Sequence, residues 1–487
     1  MANRLFLFCI GGTGARVAKS LVMLLASGCR LGKNFDTVVP ILIDPDIENG
    51  DLNRTKDILK LYKSVRQRVD KPEDFFYHNV SSLKELSDTD SSNASQYLFD
   101  LEDTHTNTFR EFIGYNELDD KDKDFFRLLY SEQNLNADLN VGFKGNPNMG
   151  SVVLDQFTQS EDFSNFCQMF SSGDAVFMVS SIFGGTGAAG FPLLLKTMRS
   201  RDVDIDGIAK LNVAKVGALV MLPYFKVSDQ EGSEIDSKAF GEKAKTAIRY
   251  YNNTLVKNGS LESLYMLGYK GSPSIYDNHE GQINQKNKAH LLELIGAFGV
   301  IDFTREFDNL QKGVTKIKEY GLQKESTNIE FKHLDSKTSA IAYSNLSRYR
   351  FFSAYLDSGL KRSLNVSRWT KNSILSIKKT KLDKNFFSDS EYKNHIELFN
   401  FYFDEWIKEL DMNNPSFSPF KPITNLSSSL DFLKDKDVKS ADGFRYIDQE
   451  NNALLDNLTT ENEYTQLIKL FGRSTKKVFE KNNLTKI

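Results

Sequence analysis

The chain has 487 residues, of which 40% are hydrophobic and 26% are charged. These proportions predict a folded protein of two or three domains and exclude global disorder. Lys and Arg together number 62 against 65 Asp and Glu, for a net charge of -3. Such a balance argues against a protein that binds nucleic acid through bulk charge.

Cysteine and histidine are sparse, with three and six residues, and they form no CxxC, HxxH or HExxH pattern. No disulfide framework, zinc site or haem site is therefore predicted. The apolar run at residues 5–10 is too short for a signal peptide or a membrane span, and no other stretch reaches about 18 apolar residues. We expect a soluble, cytoplasmic protein.

Residues 1–46 have the pattern of a strand, a glycine turn, a helix and a second strand. Residues 4–10 are apolar, and Gly11, Gly12, Thr13 and Gly14 form the turn. Apolar residues then recur at helical spacing over 15–25, ahead of a glycine that suits a helix end, and residues 37–43 are again β-rich. This order predicts a parallel sheet with helices on its faces.

Residues 50–140 are more polar and include acidic runs at 88–90 and 119–124. We predict an inserted helical region there. Its charges form a solvated surface or, alternatively, a surface that binds a partner.

Strands and helices alternate again after residue 140. The predicted elements are a glycine loop at 142–150 that opens a helix, a strand at 175–181, a glycine loop at 184–187, a helix at 188–198, strands at 213–222 and 263–269 around a helix at 240–255, and a strongly apolar, buried helix at 289–303. Beyond these lie strand-like runs at 327–331 and 339–343, helices at 395–410 and 464–479, and a proline-containing linker at 413–424.

The three glycine loops are the strongest indication of function. Loops at the carboxyl ends of parallel strands converge on one crevice. Glycine lets backbone N–H groups approach phosphate oxygens, and a following helix adds its positive N-terminus. The dinucleotide fingerprint G-x-G-x-x-G lacks its third glycine here, and the P-loop pattern is absent. The loops predict a phosphate site of another kind.

The loop sequences resemble those of the tubulin/FtsZ superfamily of GTP-binding cytoskeletal proteins. VFMVSSIFGGTGAAGFP at 176–192 is similar to the family's strand, GGGTG[ST]G loop and helix with an early proline. GFKGNPNMG at 142–150 resembles its G-x-x-G-N-P-x-x-G loop, and GGTG at 11–14 resembles its first phosphate loop. IDPD at 43–46 and LPYF at 222–225 resemble two further segments, and all five follow the family's order.

This resemblance implies an α/β fold with a parallel Rossmann-like GTPase sheet, helices on both faces, a long central helix and a second α/β domain. The implied boundaries are 1–288 for the nucleotide-binding domain with an insertion at about 50–140, 289–310 for the central helix and its loop, and 311–487 for a divergent C-terminal domain. Residues 327–331 and 339–343 would be strands of a four-stranded sheet in that last domain.

The resemblance also implies that the chain binds GTP or GDP together with Mg²⁺. The α- and β-phosphates would contact Gly11, Gly12, Thr13 and Gly14 on one side and Gly184, Gly185, Thr186 and Gly187 on the other, while the loop of Gly145, Asn146 and Gly150 would close on the γ-phosphate.

The remaining site residues each have an ordinary alternative. Asp46 would lie near Mg²⁺ and its waters, or is a helix cap or turn residue. Asn284 or Asn287 would bond guanine, or is a helix N-cap. Glu231 or Glu234 would lie near the ribose, or is a solvated loop carboxylate.

The chain departs from the family pattern at two places. Phe183 stands where a third glycine is usual, and Ala189 replaces the last glycine of the signature. The family hydrolyses GTP when the next subunit inserts an N-x-D-x-x-D/E loop, whose carboxylates act on the attacking water. The candidates here are Asp302, Glu306 and Asp308, but the asparagine is missing and Arg305 takes the second acidic place. Alternatively, these carboxylates cap the helix end.

The implied function is a prokaryotic tubulin-like GTP-binding protein that associates with itself head to tail into filaments or oligomers. Hydrolysis of GTP would be completed across the subunit contact. One alternative is a non-polymerising, nucleotide-sensing adaptor that binds other proteins through the 50–140 insertion or the C-terminal domain. Another is a dinucleotide-dependent oxidoreductase. Neither a nucleic-acid partner nor a membrane span is expected.

Overall fold

The computed structural model describes residues 3–486 apart from 88–95, 103, 105–106, 230–239, 280, 320–325, 372–380, 437, 439–440 and 459–461. The strands in this part of the chain are β1 (Asn3–Ile10), β2 (Phe35–Ile43), β3 (Asn79–Val80), β4 (Ala175–Ser181), β5 (Val216–Met221), β6 (Phe225–Val227), β7 (Ser263–Leu267), β8 (Ser274–Tyr276), β9 (Lys316–Glu319), β10 (Asn328–Ile329) and β11 (Ser416–Phe417).

The helices up to the middle of the chain are α1 (Gly11–Ala26), α2 (Gly50–Gln67), α3 (Leu83–Leu86), α4 (Phe109–Phe112), α5 (Asp120–Leu129), α6 (Glu132–Leu135), α7 (Pro147–Val153), α8 (Glu161–Met169), α9 (Gly185–Arg199), α10 (Ile208–Asn212) and α11 (Phe240–Tyr251). Those that follow are α12 (Leu291–Glu306), α13 (Ser336–Ala354), α14 (Leu360–Ser363), α15 (Lys384–Ser388), α16 (Ser390–Tyr392), α17 (Leu398–Asp411), α18 (Gly443–Leu454) and α19 (Glu463–Lys481). No helix in the described part of the chain is both long and apolar enough to cross a membrane.

Seven strands form one central sheet in the order β3-β2-β1-β4-β5-β7-β9, and every neighbouring pair is parallel. Every residue of β4 and β5 is buried. Continuous burial of this kind is typical of a parallel sheet that is covered on both sides. The predicted parallel α/β sheet is confirmed.

Aromatic contacts show that helices cover both faces of the sheet. The ring of Phe177 in β4 lies 5.0 Å from Phe303 of α12. Phe6 and Phe8 of β1 point to the opposite face, where each ring lies 5.0 Å from Phe166 of α8. Side chains alternate between faces along a strand, so the two sets of contacts belong to two layers.

The predicted central helix is α12, which begins at Leu291 and is buried from there to Thr304. It packs close to the sheet and to α1, because a Cβ on Gly296 would lie 2.6 Å from Leu219 of β5 and 3.5 Å from Val17 of α1. A larger residue at that crossing would displace the Leu219 side chain. Since α12 is enclosed on all sides, its sequence is apolar with little periodicity.

The region predicted as an insertion from residue 50 does not begin there. α2 packs along α1, and β3 extends the sheet by pairing with β2 at Thr37–Asn79 and Val38–Val80. Residues 50–80 therefore belong to the central layers. The composition concealed this, because α2 buries one apolar face and exposes a charged one, and β3 has only two residues.

The C-terminal part differs from the expected second sheet. Residues 339–343, predicted as a strand, lie inside α13, where the side chain of Asp335 caps the helix by accepting from the N–H groups of Lys337 and Thr338. Among described residues beyond 326, the strands are β10 and β11, which pair only with each other. The alternating run had suggested a strand, but the cap before it and the buried Leu346 and Tyr349 one and two turns later favour a helix.

Helix α17 joins this helical part to the sheet domain. Its Glu409 accepts from Lys19 Nζ at 3.1 Å, from Arg54 at 2.6 Å and from the backbone N–H of Ala289 at 2.8 Å. Trp406 Nε1 donates to Ser20 Oγ at 3.3 Å. Helix α17 is thus bonded to α1, to α2 and to the chain entering α12.

Candidate nucleotide-binding site

A crevice lies at the carboxyl ends of β1, β2 and β4, where the three glycine loops meet. Its lining residues come from widely separated segments: Gly11, Gly12, Thr13, Arg16, Asp44, Asp46, Val141, Gly142, Phe143, Lys144, Gly145, Ser181, Phe183, Gly184, Gly185, Thr186, Gly187, Phe225, Val227, Phe240, Asp277, His279, Gln285 and Asn287. This is the edge at which parallel α/β sheets bind ligands.

The loops are in direct contact with one another. A Cβ on Gly11 would lie 3.5 Å from the backbone N of Gly187. A Cβ on Gly185 would lie 2.8 Å from Phe143 Cβ and 3.2 Å from the backbone N of Gly145. The structure therefore brings together the three loops that the sequence analysis singled out.

Two of the glycines are required by the close seating of the helices on the strands. A Cβ on Gly14 would lie 2.5 Å from the carbonyl carbon of Cys9. A Cβ on Gly187 would lie 2.8 Å from both the backbone N and the backbone O of Ser181. Both contacts are with backbone, which cannot move aside as a side chain can. α1 and α9 thus begin immediately above the sheet.

The N-termini of α1 and α9 are open toward this crevice. Their N-cap residues, Ile10 and Gly184, make no side-chain capping bond, and neither helix has an acidic residue in its first turn. The first four N–H groups of a helix have no acceptor within it, and the helix dipole adds positive potential. Two such ends side by side form an anion-binding site.

The third glycine loop, at 142–150, differs from the other two because the helix that follows it has a side-chain cap. Asn146 caps α7, because its side chain accepts from the N–H groups of Asn148 at 3.1 Å and Met149 at 3.4 Å. Gly150 lies inside α7, where a Cβ would approach Ala189 Cβ to 2.9 Å. Asn146 and Gly150 therefore shape and seat the loop, and neither residue lines the crevice, whereas Gly145 does.

A buried ionic cluster lies under the first loop. Arg16 is 3% exposed and donates to Asp51 at 2.7 Å, to Glu293 at 2.5 Å and to Tyr224 at 2.9 Å. Burial would raise the pKa of Glu293, but Arg16 beside it holds that pKa below its usual range. Arg16 also donates to Thr13 Oγ1 at 3.3 Å, so the cluster contacts the first glycine loop directly.

Two carboxylates stand at the end of β2. The backbone N–H of Asp46 donates to Asp44 at 3.2 Å, and Asp46 Oδ2 accepts from the backbone N–H of Gln282 at 2.6 Å. Asp46 Oδ1 is buried and has no hydrogen-bond partner. Burial and the neighbouring Asp46 raise the pKa of Asp44 to about 8, and burial also raises the pKa of Asp46.

This pair fits a divalent cation that keeps most of its waters. An unpartnered carboxylate oxygen beside a second carboxylate suits a hard cation such as Mg²⁺, which takes one or two carboxylates plus phosphate oxygens and water. No cluster of three or more His, Cys, Asp or Glu able to hold a metal occurs in the described residues. Asp46 is not a helix cap, since Asn49 caps α2.

The residues proposed for the base separate into two groups. Asn287 lines the crevice, whereas Asn284 is exposed and does not. Neither is an N-cap of α12, because His290 Nδ1 accepts from the N–H of Leu292 at 3.1 Å. Glu231 and Glu234 lie outside the described residues.

An aromatic wall was missed by the sequence analysis. Phe225 and Phe240 line the crevice, and the Phe183 ring lies 5.5 Å from the first and 4.9 Å from the second. Phe183 is 3% exposed, so this departure from the glycine signature joins an aromatic cluster. The available signal was the Phe of the LPYF segment, which follows β5 directly.

The three catalytic candidates lie at the other end of α12. Asp302 accepts from Tyr265 and from Lys318, each at 2.7 Å, and Asp308 accepts from Asn34 at 3.1 Å. Asp302 lies eleven residues after Leu291, about 17 Å along the helix. None of the three, Glu306 included, lines the crevice. Asp302 is inside the helix and does not cap its end.

No protein-family model matches the chain, and no curated protein matches it. Among solved structures it is similar to CetZ from Methanosaeta thermophila, with 13% identity and a TM-score of 0.21 over 55% of this chain and 46% of the other. It is similar to CetZ2 from Haloferax volcanii, a GTPγS-bound protofilament, with 12% identity and a TM-score of 0.30 over 72% of each chain. It is also similar to TubZ from Bacillus thuringiensis, a GTPγS-form protofilament, with 11% identity and a TM-score of 0.25 over 82% of this chain and 81% of the other.

These solved structures are proteins of the tubulin/FtsZ family, which the glycine loops also resemble. The chain spans less than half the length of the first of them, at 46%. With TM-scores of 0.21 to 0.30, the interpretation of the site rests on the crevice itself.

Proposed function

We propose that the chain is a tubulin/FtsZ-like protein that binds GTP and GDP in this crevice. The observation that carries the proposal is the pair of uncapped helix N-termini, α1 and α9, that meet over the carboxyl ends of β1 and β4. Helix N-termini bind phosphate through free N–H groups and the helix dipole. In this arrangement Gly11–Gly14 and Gly184–Gly187 hold the α- and β-phosphates, and the 142–145 loop covers the γ-phosphate.

The rest of the crevice supplies the groups that a nucleotide and its cation need. Asp46, with Asp44 beside it, holds the waters of Mg²⁺, which neutralises phosphate charge when bound. Phe225 and Phe240 offer aromatic surface against which a base packs, and such stacking contributes about 1–3 kcal/mol per base in nucleic-acid complexes. Asn287 and Gln285 both line the crevice, and we propose Asn287 as the amide that bonds the base edge.

We propose further that hydrolysis, where it occurs, needs a second copy of the chain. Within one chain the carboxylates at the far end of α12 lie too far from the crevice to act on a phosphate. A head-to-tail contact brings that end, with the exposed Asp308 and half-buried Glu306, toward the crevice of the next copy. Contacts of this heterologous type generate filaments unless they close into a ring.

Binding is tested with a fluorescent GTPγS analogue and the substitution Gly12→Ala. A Cβ at this position would meet only the end of Arg16, at 3.4 Å, so the fold is retained while a methyl group enters the phosphate loop. We expect affinity to fall at least tenfold. Gly241→Ala is the matched control, since a Cβ there meets nothing within 4 Å. Equal affinity in all three proteins would refute the assignment of the crevice.

A second function is favoured by one observation, the exposed apolar face of α5. Phe125, Leu128 and Leu129 are 57%, 85% and 53% exposed, and no residue of α5 is buried. Such a face suits a nucleotide-sensing adaptor that binds another protein without polymerising. Sedimentation and electron microscopy with GTP, with GDP and without nucleotide separate the two functions. Protein that stays unassembled in all three conditions excludes the filament.

A further inference from the structure

Helix α11 contacts two parts of the nucleotide crevice. Phe240, its first residue, lines the crevice, and its ring lies 4.9 Å from that of Phe183 in the aromatic wall. Three residues later, Lys243 Nζ donates to the backbone carbonyl of Gly145 at 2.8 Å. Residues three apart lie on the same face of a helix. One face of α11 therefore contacts the aromatic wall and the third glycine loop together.

The part of the loop that Lys243 contacts is a tight turn of unusual sequence. The N–H of Asn146 donates to the carbonyl of Phe143 at 2.7 Å, and φ is 44° at Lys144 and 76° at Gly145. Positive φ at both central residues is the pattern of a type I′ turn, in which Asn-Gly and Gly-Gly are preferred. A lysine disfavours this conformation, and such strain persists only where surrounding contacts hold it. The bond from Lys243 is a contact of that kind.

The turn presents a backbone donor to the crevice. Gly145 lines the crevice, and its N–H has no acceptor among the residues that the structure describes. Its backbone N lies 3.2 Å from the position of a Cβ on Gly185, the first residue of α9. The donor therefore lies beside the open N-terminus of α9. The proposed function places the γ-phosphate at this point.

We propose that Lys243 is a positioning residue through which the site distinguishes a nucleoside triphosphate from a diphosphate. This inference rests on the proposed function, in which only the γ-phosphate reaches the third loop. By bonding the Gly145 carbonyl, Lys243 keeps the turn in the conformation that presents the Gly145 N–H. A diphosphate, which is held by the first two loops, does not use this donor. Loss of Lys243 therefore weakens binding of the triphosphate selectively.

Isothermal titration calorimetry with GTPγS and with GDP, both in the presence of Mg²⁺, tests this. Lys243→Met keeps the length of the side chain and removes the donor. We expect its GTPγS affinity to fall at least tenfold and its GDP affinity to stay within twofold of the unsubstituted protein. Lys243→Arg keeps a charged donor, and we expect it to bind GTPγS within threefold of the unsubstituted protein. An equal loss for both nucleotides in Lys243→Met, or no loss for either, overturns the inference.

Lys245→Met is the matched control on the same helix. Lys245 pairs with Glu242 at 2.6 Å, and both side chains are exposed. We expect this variant to bind both nucleotides as the unsubstituted protein does, and a selective loss of GTPγS affinity here would overturn the role of Lys243. Failure of the unsubstituted protein to bind either nucleotide refutes the proposed function and this inference with it. Binding with an unchanged ratio of GTPγS to GDP affinity in Lys243→Met refutes this inference alone.

Discussion

The two ends of α12 each carry a buried carboxylate, and the two are neutralised in different ways. Glu293, in the first turn, is 0% exposed, as is Tyr224, and Arg16 between them is 3% exposed. The partners of Glu293 are Arg16 of α1 and Tyr224 of the segment after β5. Arg16 extends the cluster to Asp51 of α2. This end is closed to water and contacts the first glycine loop through Arg16 and Thr13.

At the other end, Asp302 has two partners, Lys318 and Tyr265. The Lys318 side chain is 20% exposed and that of Asp302 is 10% exposed. Water reaches part of this pair and screens it more than the enclosed pair, so we expect it to contribute less to stability. Breaking an enclosed pair leaves a charge that nothing compensates. The comparison indicates that the carboxylate at the crevice end of α12 is the more completely enclosed of the two.

The largest expected effect is that of Arg16→Met. Removing the guanidinium leaves the buried Glu293 without its cation and leaves Asp51 with Arg54, at 3.0 Å. We expect a loss of about 3–5 kcal/mol in the free energy of unfolding. Lys318→Met is the matched change at the far end, with an expected loss of about 1 kcal/mol. Urea unfolding measures both, and similar losses in the two variants would remove the distinction between the ends.

The second prediction concerns Asp44, which has no ion pair among described residues. Its pKa is raised from 3.8 to about 8, so between pH 4 and 8 the folded state keeps a proton that the unfolded state releases. Stability therefore falls as pH rises through this window, by up to about 1.4 kcal/mol per pH unit. Asp44→Asn removes this fall. Thermal unfolding from pH 4 to 8, without nucleotide or divalent cation, measures it, and parallel profiles for the two proteins contradict the assignment.

The third prediction compares the two tyrosines that donate to these carboxylates. Tyr224 donates to Glu293 at 2.6 Å and Tyr265 donates to Asp302 at 2.7 Å. Tyr224→Phe removes a bond to a buried charge, for an expected loss of about 1.5–3 kcal/mol. Tyr265→Phe removes a bond to a carboxylate whose side chain is 10% exposed, and we expect a loss of about 1 kcal/mol. Chemical denaturation measures the free energy of unfolding of both variants. A larger loss in Tyr265→Phe than in Tyr224→Phe would contradict the prediction.

The smallest effect is expected for Asp302→Asn on nucleotide affinity. Because Asp302 lies at the far end of α12, we expect GTPγS affinity within twofold of the unsubstituted protein. Phosphate release in assembled protein is the companion measurement, since a loss there with unchanged affinity supports catalysis across a contact. A large loss of affinity in the isolated chain would contradict the separation of the two ends.

The parallel sheet and the meeting of its loops were predictable because their signals are local. Gly14 and Gly187 are required by contacts with their own neighbouring strands, and the apolar runs of β1 and β4 are continuous. The nucleotide and the roles of individual loop residues remain predictions.

What the sequence analysis missed depends on distant partners. Arg16 and Glu293 are 277 positions apart, and no spacing pattern reveals that they meet. Asp44 attracted no attention because a carboxylate in a turn is ordinary until burial raises its pKa. The helical state of residues 339–343 depends on the Asp335 cap before them and on the buried face that continues after them. Neither signal lies within the five residues themselves.

Glu409 has a consequence for any attempt to divide the protein. This one carboxylate of α17 receives Lys19 of α1, Arg54 of α2 and the backbone N–H of Ala289. A fragment that stops at residue 310 keeps the three donors and loses their shared acceptor, with Lys19 only 3% exposed. We therefore expect the glycine-loop half to be less stable alone than in the whole chain, where α17 supplies this acceptor.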